Sequence, residues 1–324
     1  MKKMTTEELL KEIEENHNNS LFLEIFKRRN NELDRIALIY KGKKINYLTL
    51  KVKVEEYAKA LKAYDIKKGD EIPVCMTNTP EFIYLLGAIS LIGAKANIFG
   101  DGFDKDYITE IINGCNTNIL FATDDIYMNI DESVKKSKNK EVILMSLAES
   151  LPNKQNPYIE IEKEWYDFKD RTLEIKENNA RITLSKDFLS LGKNYKGNYI
   201  EKVDLNDEFT ITYSSGSTNS KRPKAIVHDV KSYIVMGIYH DPEVSNVPSM
   251  KNLRMLSHIP THSNTNIMSC ITDPLMQGSE IAVEPIYKPD HFVYSLLINK
   301  PSFVTATRSF FIRCANDILT NKKF

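Results

Sequence analysis

The side chains best suited to chemistry lie between Phe209 and His228, in the stretch FTITYSSGSTNSKRPKAIVH. Ser214, Ser215, Ser217 and Thr218 surround Gly216. A glycine lets the backbone turn where a Cβ would forbid it, so main-chain N–H groups and neighbouring hydroxyls can converge on one point. Lys221, Arg222 and Lys224 bring positive charge beside that concavity, and Pro223 stiffens the approach of Lys224. The chemistry this suits is the binding of a polyphosphate. A solvated Ser/Thr/Asn linker with incidental lysines is the competing reading of the same composition. What favours the cradle is the element that delivers it: Phe209, Ile211 and Tyr213 alternate with threonines at period two, the pattern of a short strand running straight into the loop.

The rest of the chain supplies a frame for such a loop. Its 324 residues, 42% hydrophobic and 27% charged, are enough for two domains of an ordinary globular protein. The 44 basic and 44 acidic residues cancel, so a nucleic-acid-binding surface is not expected. The polar, acidic first twenty residues do not read as a secretory signal, and the longest apolar run, Phe82–Ala94, is too short to cross a bilayer. It reads as a buried helix. Cys75, Cys115, Cys270 and Cys314 are scattered without metal-ligand spacing, which points to reduced thiols in a cytoplasmic protein and to no metal site.

Along the chain, a helical arm is expected over residues 4–29, a hairpin at Ala37–Tyr47, and then alternating helices and strands. Strands are expected at 71–76, 94–99, 118–122 and 141–145, with helices at 49–64, from Pro80, and at 106–113. Residues 146–205 show no clear period. After the loop, a helix is expected within Ala225–His240, strands at 252–259, 280–283 and 302–305, and helices at 264–276 and 291–297. Such alternation predicts an α/β fold with parallel sheets covered by helices on both faces. Gly100-Asp101-Gly102 is rejected as a dinucleotide fingerprint, because Lys105 stands at the third glycine position and Asp101 and Asp104 would repel a pyrophosphate.

The run from Tyr213 to Thr218, followed by Pro223-Lys224 and His228, resembles the phosphate-binding signature of the adenylate-forming (AMP-binding) superfamily, which includes acyl-CoA synthetases. Four residues, Asn219–Arg222, separate Thr218 from Pro223-Lys224, where the family pattern has a glycine and one variable residue. Further matches are Lys68-Gly69-Asp70, Asn78-Thr79-Pro80-Glu81-Phe82, Gly93-Ala94, Pro260-Thr261-His262 and Pro274-Leu275 with Gly278.

The resemblance implies two doubly wound αβα half-domains of the adenylate-forming N-terminal domain, the second incomplete. In that frame residues 1–36 form the helical arm, 37–150 the first α/β subdomain, 151–205 a variable connection and 206–324 the second subdomain with the phosphate loop. It implies ATP with Mg2+, a small-molecule carboxylic acid activated as its acyl-adenylate, and CoA as co-substrate. By the same resemblance Ser214, Ser215, Gly216, Ser217 and Thr218 hold the β- and γ-phosphates and Lys224 clamps their charge. His262 guards the acid pocket, with His258 as the alternative one turn away and a structural loop histidine as the competing reading. His228 is expected to start or cap a helix. The family's later elements, including its magnesium-holding glutamate and ribose-binding aspartate, are not found before Phe324. A truncated or split ligase completed by a separately encoded C-terminal part is therefore expected, and a catalytically incomplete nucleotide-binding or interaction module is the alternative.

Overall fold

The computed structural model describes residues 5–15, 20–138, 140–152, 172–176, 181–214, 222–241, 248–285 and 289–320. The expected N-terminal arm is two helices, α1 (Thr6–Glu15) and α2 (Leu21–Arg28), the second burying Leu21, Phe22, Ile25 and Phe26. Strands β1 (Ile36–Tyr40) and β2 (Lys43–Asn46) form a hairpin whose two-residue turn, Lys41-Gly42, takes positive φ at both positions (48° and 83°). Asn46 then caps α3 (Tyr47–Ala63) by accepting from the Thr49 N–H at 2.8 Å.

Strand β3 (Glu71–Cys75) leads to α4 (Pro80–Ile92), whose boundaries follow from its sequence. Thr79 caps its start, Pro80 occupies the first turn where no N–H is needed, and Gly93 ends it in the left-handed region at φ 67°. All 13 residues of α4 are buried, as expected for a helix apolar on every side. Gly87 is the point of closest packing: a Cβ there would lie 2.6 Å from Val54 of α3 and 2.8 Å from Phe22 of α2.

The remaining elements of the first half are β4 (Lys95–Ile98), α5 (Lys105–Gly114), β5 (Ile119–Thr123), α6 (Tyr127–Lys136) and β6 (Glu141–Met145). A short helix α7 (172–176), β7 (Ile182–Leu184) and α8 (Ser185–Gly192) follow. The chain continues through β8 (Glu208–Tyr213), β9 (Ala225–Asp229), α9 (Val230–Tyr239) and β10 (Arg254–Ser257). It ends with α10 (Asp273–Gln277), β11 (Glu280–Val283), α11 (Pro289–Asn299), β12 (Phe303–Val304) and α12 (Arg308–Thr320).

Among the described residues the strands form two sheets, ordered β7-β6-β5-β3-β4-β8-β9 and β12-β10-β11-β1-β2. All neighbours are parallel except β8–β9 and β1–β2. Sheet membership crosses the boundaries expected at residues 37 and 206. The hairpin β1–β2 joins the later strands, with Leu38 opposite Ile281, and β8 joins the earlier ones, with Ala96 opposite Thr210. Hydrophobic pattern sets which face of a strand is buried but not which neighbour it takes, so this exchange is invisible to a linear reading.

Two local differences have identifiable causes. The helix expected within Ala225–His240 is preceded by β9, because Ala225 and Val227 pair back onto Tyr213 and Ile211. The helix expected at 264–276 is π-helical over Asn266–Thr272 before α10. Pro274 has no N–H to donate and crowds the preceding turn, which favours a widened helix there. No helix among the described residues is long and apolar enough to cross a membrane.

Candidate functional site

Strands β3, β4, β5 and β8 of one sheet and β10 and β11 of the other carry their carboxyl ends toward common ground. A cleft of about 220 Å³ opens there. It is lined by the segments that follow β3 (Met76, Thr77, Asn78), β4 (Phe99, Gly100, Asp101), β5 (Asp125, Ile126), β10 (His258 to His262) and β11 (Pro285). Ligands of open parallel sheets bind outside the carboxyl ends of their strands, and here two sheets contribute to one such crevice.

Buried amides and hydroxyls fix the walls. The Asn78 side-chain amide donates to the Ser257 carbonyl at 2.6 Å, to Ser257 Oγ at 3.0 Å and to the Glu284 carbonyl at 3.3 Å. Ser257 Oγ donates in turn to Asn266 Oδ1 at 2.8 Å, and Thr261 Oγ1 donates to the Met76 carbonyl at 2.5 Å. Asn78 and Thr261 thus tie the loop after β3 to the loop after β10, so that each sheet positions the other. Thr77 Oγ1 donates to Asp125 Oδ2 at 2.6 Å, while burial raises the Asp125 carboxyl above its ordinary value.

His262 stands half-buried at the cleft. Gly100 admits it: a Cβ at that position would lie 3.1 Å from the imidazole. Phe103 meets the His262 ring edge-on at 5.7 Å and the Tyr213 ring at 5.4 Å, so an aromatic chain connects the cleft to the end of β8. Tyr213 is held by its hydroxyl, which donates to Asn97 Oδ1 at 2.8 Å. Burial pushes the His262 pKa down, against a smaller upward pull from Asp101, and burial likewise lowers that of His258. Burial thus favours the neutral form of both rings.

The serine-rich stretch begins where β8 ends. Its flanks close on each other: the Ser214 N–H donates to the Lys224 carbonyl at 2.9 Å, and the Lys224 N–H donates to Ser214 Oγ at 3.0 Å. The stretch is thus the connection of an antiparallel hairpin at the edge of the seven-stranded sheet. Tyr107 steadies the returning limb by donating to the Pro223 carbonyl at 2.7 Å, and Arg222 grips Glu110 with two hydrogen bonds of 3.0 and 2.9 Å. Lys224 is exposed, and among the described residues no carboxylate pairs with its ammonium.

Of the residues singled out from the sequence, Ser214, Lys224 and His262 are brought to one region through Phe103, Tyr107 and Tyr213. Ser215, Gly216, Ser217 and Thr218 lie outside the described residues. His258 is buried against Phe292 and Phe310, with ring centroids at 4.9 and 5.6 Å. His228 does not cap a helix: it lies in β9, with Nε2 3.1 Å from Thr212 Oγ1, and Asp229 caps α9 instead. The sequence reading missed Asn78 as a bridge and Gly100 as the close approach to His262. The signal for Gly100 was its position directly after a strand, outside any fingerprint. No group of three or more His, Cys, Asp or Glu side chains among the described residues could hold a metal ion.

The fold recurs in solved structures. A long-chain-fatty-acid CoA ligase from Rhodopseudomonas palustris, so described, superposes with a TM-score of 0.68 at 14% identity, covering 93% of this chain and 66% of that one. A benzoate CoA ligase from Burkholderia xenovorans gives 0.68 at 12% identity, covering 94% and 52%. By sequence, acetyl-coenzyme A synthetase of Magnetococcus marinus is 26% identical over 212 residues, 62% of this chain and 30% of that protein. That of Bartonella henselae is 27% identical over 214 residues, with the same coverage of 62% and 30%. The match thus spans about 30% of the length of these curated relatives. The chain belongs to the AMP-binding enzyme family, whose pattern it matches over residues 25–323.

Proposed function

We propose that the chain binds ATP and takes part in activating a small carboxylic acid as its acyl-adenylate, with CoA as the acceptor. The observation that supports this reading most directly is a crevice at the carboxyl ends of both sheets, linked through His262, Phe103 and Tyr213 to the serine-rich hairpin that carries Lys224. Ser214 to Thr218 would hold the β- and γ-phosphates and Lys224 would offset their charge, leaving the α-phosphorus open to the carboxylate. The attack forms the acyl–phosphate bond and expels pyrophosphate. Positioning and charge stabilisation are what such a step needs from the protein. Neutral His262 suits the mouth of a pocket for an uncharged acyl chain. Mg2+ would arrive with the phosphates of ATP.

The match spans about 30% of the curated relatives' length, which supports catalytic groups beyond the described residues as contributors to the reaction. Four buried thiols, Cys75, Cys115, Cys270 and Cys314, support a cytoplasmic setting. Calorimetric titration with MgATP should give saturable binding that weakens by about tenfold or more in Lys224→Ala, the loss of one charge-assisted contact. Equal affinity would remove the loop assignment. Carboxylate-dependent exchange of pyrophosphate into ATP, with a relative's C-terminal part added, tests the reaction itself. ATP binding without exchange across a broad panel of acids would leave a module that only binds nucleotide.

A further inference from the structure

We propose that the outer face of the seven-stranded half carries a second small-molecule site, fitted to a planar aromatic anion of nucleoside-monophosphate size. The site is a concavity of about 410 Å³ between α3, the end of α8 and the loop 193–199. That volume lies within the range of about 300–1,000 Å³ usual for small-molecule sites. Three lysines line it, Lys59, Lys193 and Lys196, and among the described residues none has a carboxylate partner. The carboxylate at its rim, Glu56, is taken by Lys53 at 2.7 Å. Glu55, which bonds the Tyr199 side chain, lies 4.0 Å from Lys51, so lysines outnumber carboxylates around the concavity.

Two tyrosines give the concavity flat walls. Lys59 Nζ lies 4.9 Å from the centroid of the Tyr199 ring, a cation–π distance. The Tyr195 ring lies across Gly197, where a Cβ would come 2.5 Å from its hydroxyl, and that hydroxyl donates to the Asn198 carbonyl at 3.1 Å. Gly192 forms the floor, since a Cβ there would strike the Ala60 backbone of α3 at 2.6 Å. The loop is held before any ligand arrives: Asn198 bonds both backbone groups of Ile200, and the Glu201 N–H donates to the Leu91 carbonyl at 2.9 Å. Tyrosine faces stack on a base, and lysines act as point charges on a phosphate. Neither tyrosine nor any of the three lysines belongs to the cleft.

An azido-adenine analogue of AMP used as a photolabel on the whole chain tests this directly. The label should appear on the peptide containing Tyr195 and Tyr199, be displaced by AMP, and persist in Lys224→Ala. The double variant Lys193→Glu with Lys196→Glu should weaken AMP binding at this peptide by about a hundredfold, two contacts of about tenfold each. Its melting temperature should stay unchanged. Labelling elsewhere only, or labelling at this peptide that survives charge reversal, overturns the proposal. Displacement by inorganic phosphate as readily as by AMP would also overturn it, since the aromatic ring would then contribute nothing. Because the readout is specific to this peptide, failure of the ATP assignment at the cleft leaves the result interpretable.

Discussion

Helix α4 and the β8–β9 hairpin flank the same sheet and are held in opposite ways. Every residue of α4 is buried, and its glycine at 87 lets α2 and α3 close on it from either side. The hairpin hangs on one edge, with Ile226 and Val227 44% and 49% exposed, and is fixed by backbone pairing and a few polar contacts from α5. Packing on all sides determines a shape whatever the ligand. Edge pairing leaves donors and an ammonium group available to something outside the protein. The contrast teaches that in this chain packing and the proposed chemistry fall on different residues, and substitutions should separate the two.

The largest effect is expected in the helix. Phe82→Ala should destabilise the fold by about 3–5 kcal/mol in denaturant titration, the usual cost of deleting a buried aromatic ring. A loss below about 1 kcal/mol would mean that α4 is not the packing centre described. Next comes the bridge between the sheets. Asn78→Ala removes the amide's hydrogen bonds to Ser257 and to the Glu284 carbonyl, although the Ser257 carbonyl keeps the Glu284 N–H, and should cost about 1–3 kcal/mol in the same titration. Wild-type stability in that variant would show that the two sheets do not depend on this amide.

A pH-dependent effect is expected at Glu81, inside α4, where burial and the nearby Glu149 push its carboxyl up to about 8. Ser150 Oγ donates to it at 2.5 Å, and burial raises Glu149 as well. The folded form holds this proton more tightly than the unfolded chain, whose value is near 4.5. Its contribution is therefore intact below about 4.5 and is lost as pH climbs through about 8. The melting temperature of Glu81→Gln should accordingly change less between those limits than that of the wild type. Parallel profiles would sink this account. The smallest effect belongs to the hairpin: Arg222→Ala breaks an ion pair that is more than half exposed on both sides and should cost below about 1 kcal/mol. A cost comparable to that of Phe82→Ala would erase the distinction between helix and hairpin.

Much of this was legible in the sequence, for reasons that differ by element. Helix α4 announced itself through Pro80 and the apolar run Phe82–Ala94. The strand β8 was visible because its alternation is strict. Helix α6 was not foreseen, since Asn129, Asp131 and Glu132 dilute its apolar stripe of Tyr127, Ile130 and Val134. Strand β9 escaped notice because its outward residues, Ile226 and Val227, are as apolar as buried ones. Within the site, Ser214, Lys224 and His262 were nameable from their types and from the resemblance. Asn78, Gly100 and Phe103 act only through neighbours remote in the chain, and no local pattern records that.

The placement of β1 has a consequence for how the molecule is made. Leu38 finds its parallel partner only at Ile281, so β1 must wait for a strand made much later in the same chain. Until then its backbone groups on that side stay unsatisfied, and closing so long a loop is entropically slow. Between the synthesis of β1 and that of β11 the nascent protein thus carries an adhesive edge, a period when chaperones would be most needed.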